Sequence, residues 1–439
     1  MPLTLKLPRG GLWGHADFMK LWIGQSISEF GTPVSQIAIP WIAIKILDAS
    51  AFEVATLGTV QFLPFLLFTL PAGVWVDRLQ RRSVLIVGDA GRALLLATIP
   101  IAYVYDALSL WQLYVVAFLV GILTVFFDVA YQSYLPALVE REALVEGNSK
   151  LQVTASGAQI AGPALGGGLI QALTAPYAVL ADACSFVVSG AFTLAIRKRE
   201  VLPERTKESP KLWAELKEGL GYVVRHPLLR PQAICTGSSN FFGNVGFAIL
   251  LVYAARHWHM SAGLVGLGFG IGSLGWLLGA LAAPRIQRAL GVGKTTLLMT
   301  PLFGLPFLLI PLAPTRLAFV ALVAAMMVGG FGSVVYNITQ VSLRQAITPH
   351  RIQGRMNAVM RFLVWGTIPL GSLVGGGLAS SIGLRATLVV SALGGALAFI
   401  PIALSPIPAL REFPESEDLT PVVAGVADAP LPSTAQADA

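Results

Sequence analysis

The chain has 439 residues, 55% of them hydrophobic and only 12% charged, with a mean hydropathy of +0.72. Soluble domains carry roughly 25% charged residues, so this composition excludes a soluble enzyme and points to a chain that folds in a bilayer. The net charge of +7 does not indicate nucleic acid, because the basic residues sit in short connections between apolar runs.

A spanning helix needs about 20 mostly apolar residues. Free backbone groups are too costly in lipid, so the runs must form helices or a closed barrel. Barrel strands alternate apolar and polar residues over ~10 positions. Runs such as VGLGFGIGSLGWLLGALAAP do not alternate, which selects helices. Residues 1–18 read as a cytoplasmic leader. Spans are then expected at 19–46, 54–76, 84–104, 110–135, 152–173 and 177–196, and the N-terminal six-helix bundle occupies 19–197. The hydrophilic stretch 198–230 reads as a central cytoplasmic linker. Its second part is an amphipathic surface helix with Leu212, Leu216, Leu220 and Val223 on one face. Six more spans, at 231–255, 262–283, 295–313, 317–342, 357–380 and 386–405, form a C-terminal bundle over 231–405. The tail 406–439, rich in Ala, Pro, Asp and Ser, is expected to be disordered.

Charge sets the orientation. Lys6, Arg9, Lys20, Arg78, Arg81, Arg82, Arg141, Lys150, nine basic residues from Arg197 to Arg230, Arg285, Arg288, Lys294, Arg344, Arg351, Arg355 and Arg411 fall on one side. The other side carries only Lys45, Arg256, Arg316 and Arg385. Basic connections face the cytoplasm, so both termini are expected inside a multi-pass plasma or inner membrane protein.

The halves also repeat one another. At an offset of 209, Asn148, Gly157 and Gly162 meet Asn357, Gly366 and Gly371. Gly166, Gly167, Gly168 and Leu169 meet Gly375, Gly376, Gly377 and Leu378. DRLQR around Arg78 returns as PRIQR around Arg285, and Tyr131 as Tyr336. Parallel repeats of this kind place a substrate site between the halves.

Polar residues inside spans recur at helical spacing. The first span carries Gln25, Glu29, Thr32 and Gln36, all on one face. The fourth carries Thr124, Asp128, Tyr131 and Gln132, the seventh Thr236, Asn240 and Asn244, and the tenth Ser333, Asn337, Gln340 and Arg344. An ionisable group costs roughly 2.5–3.5 kcal/mol to insert, so these stripes argue for a central polar pathway. The substrate-cavity candidates are Gln25, Thr32, Gln36, Tyr131, Gln132, Asn240, Asn244, Asn337 and Gln340. Glu29 and Asp128 are the proton-coupling candidates. Interhelical hydrogen bonds for the amides and hydroxyls, and a structural ion pair for the carboxylates, are the competing readings. Asp89 and Arg92, three apart, are expected to pair locally.

The loop GVWVDRLQRRSVL carries Gly73, Asp77, Arg78, Arg81 and Arg82, and resembles the signature of the major facilitator superfamily. A second glycine usual in that signature is replaced by Gln80. The segment GAQIAGPALGGG, with Gly157, Gly162, Pro163, Gly166 and Gly167, resembles the fifth-helix antiporter motif of the same superfamily. The phrases LWIGQSISEFG, LPAGVWVDR, FFDVAYQSYLPALV and EGLGYVVRHPLLR look like the proton-linked multidrug subgroup that contains macrolide-efflux and enterobactin-exporter proteins. The resemblance implies a two-bundle, twelve-helix fold in which the first motif is a cytoplasmic gate and the second is associated with export. It further implies proton-driven efflux of amphipathic small molecules by alternating access. A dedicated siderophore or metabolite exporter, or a non-transporting receptor or assembly member, are the alternatives. The fourth-helix arginine common among superfamily antiporters is absent.

No catalytic residue, cofactor or metal is expected, the proton gradient being the energy source. GVGKTT at Gly291 to Thr296 lacks the first glycine of a phosphate loop, Arg288 standing in its place, so ATP binding is not expected. Of the five histidines only His257 and His259, which flank Trp258 in a short outer loop, have a spacing a metal could use, and zinc is not expected there. The expected partners are the lipid bilayer and a small-molecule substrate, with the monomer as the working unit.

Overall fold

A computed structural model describes residues 11–76, 79–140, 143–198 and 212–413. The leader before residue 11, Asp77 and Arg78, the first part of the linker, and the tail from residue 414 lie outside the described residues.

The apolar runs form helices throughout. The N-terminal half is built of α1 (Ala16–Lys45), α2 (Ala51–Val76), α3 (Arg81–Val104), α4 (Leu110–Leu138), α5 (Leu144–Leu173) and α6 (Ala175–Leu194). The linker helix α7 (Leu212–Arg225) follows. The second half begins with α8 (Leu229–Arg256), and its second span is broken at Ser273 into α9 (Ala262–Gly272) and α10 (Leu274–Leu290). Its third span combines α11 (Val292–Met299), 3-10 turns at Pro301 and Pro306, and α12 (Leu309–Leu312). Then come α13 (Ala318–Ile347), α14 (His350–Ile382), α15 (Leu384–Leu397) and α16 (Ile400–Ala403). Side chains of His15, Ser109 and Ser261 cap three helix starts by accepting from the amides of Phe18, Gln112 and Leu264.

Nine segments among the described residues are long and apolar enough to span a bilayer by composition alone. α1 and α5 fall short in apolarity, although their 30 residues each give lengths of ~45 Å, and α14, at 33 residues, is longer still. They are the spans that carry polar residues and glycines toward the other helices. Most helices run a few residues past the apolar boundary at the end nearer the termini.

The repeat has a structural counterpart. A Cβ on Gly162 would meet Pro33 of α1 at 2.6 Å, and one on Gly166 would meet Val34 Cα at 3.0 Å. Their equivalents Gly371 and Gly375 seat in the same way on the Phe241 carbonyl and Val245 backbone of α8. The third glycine of each set reaches across to the other half. Gly167 of α5 abuts Ala262 and Gly266 of α9, while Gly376 of α14 abuts Phe52 and Ala55 of α2. In both halves, then, two glycines seat the fifth span on the first, and a third seats it on the second span of the opposite half. The junctions match as well: Thr174 (φ 75, ψ 159) joins α5 to α6, and Gly383 (φ 84, ψ 160) joins α14 to α15.

Among the described residues the halves touch on one face only. On the face away from the termini, α5 packs on α9 and α2 on α14. One apolar core there takes in residues of both halves, including Trp41, Ile44, Val252 and Trp258. Two of the few basic residues on this face tie the halves together. Lys45 Nζ donates to the Ala255 carbonyl at 3.3 Å, and Arg256 donates to Asp48 Oδ1 at 2.9 Å and to the Ala49 carbonyl at 2.7 Å. On the termini face the contact runs out: α5 packs little on α10, and a Cβ on Gly73 would meet nothing within 4 Å. Among the described residues the molecule is closed on one face and parted on the other.

α7 packs along α14. Of the expected stripe, Val223 is buried together with Gly219, whereas Leu220 is 48% exposed; the side chains of Leu212 and Leu216 lie outside the described residues. Tyr222 donates to the Ile347 carbonyl at 3.4 Å. Buried His226 accepts from the amides of Leu228 and Leu229 through Nδ1, at 3.1 and 3.3 Å, and so holds the start of α8.

Candidate functional site

Each half holds a polar cavity. The N-half cavity, about 330 Å³, is walled by α1, α4 and α5 and includes Gln25, Glu29, Tyr131, Gln132 and Asn148. Gln25 Nε2 donates to Glu29 Oε1 at 3.3 Å. The C-half cavity, about 670 Å³, is walled mainly by α8, α13 and α14 and includes Asn240, Asn244, Asn337 and Gln340. Seven of the nine cavity candidates therefore line one or other cavity. Thr32 and Gln36 line neither: Thr32 donates to the Ser28 carbonyl of its own helix at 3.1 Å, and Gln36 is exposed.

Behind the N-half cavity lies a charge cluster. Asp89 is fully buried and Arg92 is 5% exposed. Arg92 donates to Asp89 Oδ1 at 2.6 Å and to the Gly88 carbonyl at 3.3 Å. Its guanidinium is sandwiched between the rings of Phe127 and Phe186, with centroids at 4.1 and 4.2 Å, an arrangement that stabilises a desolvated cation. Phe127 stacks in turn on Tyr131 of the cavity wall, 6.0 Å between centroids. A continuous stack thus runs from the cavity to the buried arginine. Arg92 attracts Asp128 and Asp182 as well as Asp89, and Asp128 also feels Glu29. Asp182 is held by the hydroxyls of Ser35 and Ser185, the latter at 3.1 Å. The place against α4 is therefore filled by an arginine from α3. Asp89 and Arg92 pair as their spacing predicts, but the pair is one corner of a cluster spanning α1, α3, α4 and α6.

The motif residues are distributed as follows. Gly162, Gly166 and Gly167 form the glycine seats described above, and the Pro163 carbonyl lies against Gly266. Gly157 has only Phe30, at 3.8 Å. In the motif between α2 and α3, Arg82 donates to the Thr193 and Leu194 carbonyls at 3.2 and 2.6 Å, closing the end of α6 within its own half. The GVGKTT segment starts α11. The amides of Val292 and Gly293 are taken by the carbonyls of Arg411 and Leu410 at 3.2 and 2.8 Å, so they are not free to cradle a phosphate.

The sequence profile of a family described as transmembrane secretion effectors matches residues 13–427. The chain belongs to this family. Among curated relatives of this secretion effector, the multidrug efflux pump Tap of Mycolicibacterium fortuitum is 28% identical over 401 residues, covering 87% of this chain and 93% of that one. The enterobactin exporter EntS of Salmonella paratyphi A is 24% identical over 410 residues, covering 93% and 95%. Among solved structures, the nucleoside transporter NupG superposes with a TM-score of 0.74 at 12% identity, covering 88% of this chain and 99% of that one. That likeness establishes the major facilitator fold, with its two pseudo-symmetric six-helix bundles. The secretion effector is an integral membrane transporter and not an enzyme.

The sequence stripes of this transporter did not reveal Ser35, Phe127, Phe186 and Asp182 as parts of one cluster. The available signal was the crowding of three ionisable residues, Asp89, Arg92 and Asp182, into spans of one half while the first and fourth spans of that half also carried carboxylates.

Proposed function

We propose that the protein exports amphipathic small molecules in exchange for protons, working as a monomer in the bacterial inner membrane with both termini in the cytoplasm. The Lys and Arg bias of the termini-face connections supports that orientation. The parted face is then the cytoplasmic one, the side from which an exporter loads. The curated relatives, a multidrug efflux pump and an enterobactin exporter, support the direction.

The observation that carries the reading is the continuity from cavity to charge cluster. Glu29 lines the N-half cavity, Asp128 is within electrostatic reach of both Glu29 and Arg92, and Tyr131 stacks on Phe127, which covers Arg92. A carboxylate in a span is costly while charged, so Glu29 and Asp128 are the groups of this half suited to carrying a proton, and Arg92, always charged, is the cation they face. Glu29 and Asp128 are the carriers, Arg92 the positioning residue. Rocking of the halves that parts the inter-half glycine seats at Gly167 and Gly376 would exchange which face admits protons and which admits substrate. The mixed polar and aromatic walls of the cavities suit amphipathic molecules, and a flux panel of drugs, dyes and siderophores separates a broad exporter from a dedicated one.

The test is flux in proteoliposomes. Gradient-driven export of a substrate identified in that panel should stop when the pH gradient is collapsed. It should fall at least tenfold in Glu29→Gln or Asp128→Asn, with downhill exchange retained. Flux indifferent to the gradient excludes proton coupling, and full gradient-driven flux in both variants excludes these two carriers.

A further inference from the structure

The two cavities differ in charge. The N-half cavity holds the carboxylate of Glu29. The lining of the C-half cavity contains no carboxylate among the described residues and one cation, Arg344. Arg344 makes no ion pair among the described residues, and its Nε is buried without a hydrogen-bond partner. One helical turn earlier, Gln340 is 4% exposed. Its Nε2 is spent on Asn337 Oδ1 at 3.0 Å, and its Oε1 is buried and unpartnered. A buried polar atom without a partner costs ~1–3 kcal/mol, so two of them on one cavity wall mark places where a ligand supplies what the protein does not.

The two orphans have opposite demands. Arg344 Nε needs an acceptor, and a charged acceptor satisfies it best. Gln340 Oε1 needs a donor. The residues stand four apart on α13, on one helix face and ~6 Å apart along the axis, which is the reach of neighbouring substituents on one aromatic ring system. Across the cavity, the side-chain amides of Asn240 and Asn244 donate to their own helix at 2.9 and 2.8 Å, leaving their carbonyl oxygens as further acceptors. Phe247, Trp276 and Phe307 supply aromatic walls.

Resting on the reading that these cavities are the transport pathway, we infer that the C-half cavity selects aromatic organic anions. The carboxylate or phenolate of the substrate takes Arg344, and an adjacent O–H or N–H donates to Gln340. The negative N-half cavity repels the same anion, which orients the ligand with its acid toward α13.

Direct binding to the purified full chain in nanodiscs tests this, by equilibrium dialysis with 3-hydroxy-2-naphthoate, its neutral methyl ester, and 2-naphthoate, which lacks the hydroxyl. The expected result is at least tenfold tighter binding of the hydroxy acid than of its ester. Arg344→Gln should erase that preference while changing ester affinity less than threefold, and Arg344→Lys should keep part of it. Gln340→Leu should weaken the hydroxy acid at least fivefold and leave 2-naphthoate unchanged. Equal binding of acid and ester to the unmodified protein overturns the inference, as does an Arg344→Gln variant that weakens both alike while keeping the parent melting temperature. A gradient-driven flux of a cationic dye through a protein that ignores the anion would sink the substrate class and leave the transport reading standing. Anion binding without any gradient-driven flux would do the reverse.

Discussion

Replacing Gly376 by alanine would place a methyl 2.7 Å from Ala55 Cβ and 3.0 Å from Phe52 Cα on the opposite half. Ordinary contact begins at 3.4 Å, so α14 and α2 must part by roughly 0.7 Å or distort, the kind of overpacking that costs ~1–3 kcal/mol. The penalty falls only on the conformer in which this face is closed, because the two glycine-seated partners separate when it opens. At 1.4 kcal/mol per factor of ten, the closed population loses ~5–150-fold relative to the open one. The neighbouring Gly377→Ala is the control, since its Cβ would meet nothing within 4 Å. Both changes gain the same helix propensity of up to ~1 kcal/mol, so their difference isolates the seat. The same comparison applies to Gly167→Ala against Gly168→Ala on the other side of the repeat, where Gly168 again has open space. The readout is alkylation of Thr59→Cys by an impermeant maleimide added on the face away from the termini, with Cys184 and Cys235 replaced by serine. Thr59 lies on this seam, its hydroxyl donating to the Pro369 carbonyl at 3.2 Å. Labelling should accelerate within that range in Gly376→Ala and stay at the parent rate in Gly377→Ala. Equal rates in the two variants would refute the assignment of Gly376 to the closing seam.

Thr174 occupies a backbone region that is essentially reserved for glycine, at a cost of ~1–3 kcal/mol, and the equivalent Gly383 already relieves it in the other half. Thr174→Gly should therefore raise the melting temperature in detergent, an unusual direction for a change to glycine. Arg92→Gln leaves Asp89 buried and unpaired and should cost ~3–5 kcal/mol, lowering yield and melting temperature; adding Asp89→Asn should restore part of both. Burial pushes His226 down to about 4 from 6.5. The unfolded chain thus takes up a proton that the folded one resists, so this contribution is complete above pH 6.5 and is lost, up to about 3 kcal/mol, as the pH falls toward 4. Melting temperatures from pH 8 to pH 4 should drop more steeply for the parent than for His226→Asn.

Much of the fold is legible in the sequence because its cause is local. Twenty apolar residues in a row must be a spanning helix, and basic connections give its expected direction. The in-register glycines Gly162, Gly166 and Gly167 against Gly371, Gly375 and Gly376 encode the seats of both fifth spans, since only glycine tolerates those backbone approaches. The stripes were read less completely. Spacing by three and four places Thr32 and Gln36 on the face of Gln25 and Glu29, but periodicity fixes direction around the helix and not depth along it. Past Glu29, α1 meets the α5 glycines at Pro33 and Val34, and the cavity ends. Arg92 shows the other limit. Its partner Asp89 is three residues away and visible, whereas Phe127, Phe186 and Asp128 come from other helices and are joined to it only by packing. Gly73 of the loop motif faces open space, since the described residues of the two halves are parted at that face.

The central claim is that the two halves rock so that parting the glycine-seated face closes the other. Spin labels at Leu79→Cys and Leu290→Cys report the gap on the termini face, and a pair at Tyr105→Cys and Leu317→Cys reports the opposite face; all four residues are exposed. Pulsed dipolar distances in nanodiscs should move in opposite senses when pH is stepped from 8 to 5 or when a transported substrate is added, the first shortening as the second lengthens. Distances that shift together, or a second pair that stays fixed while the first changes, would contradict alternating access in this protein.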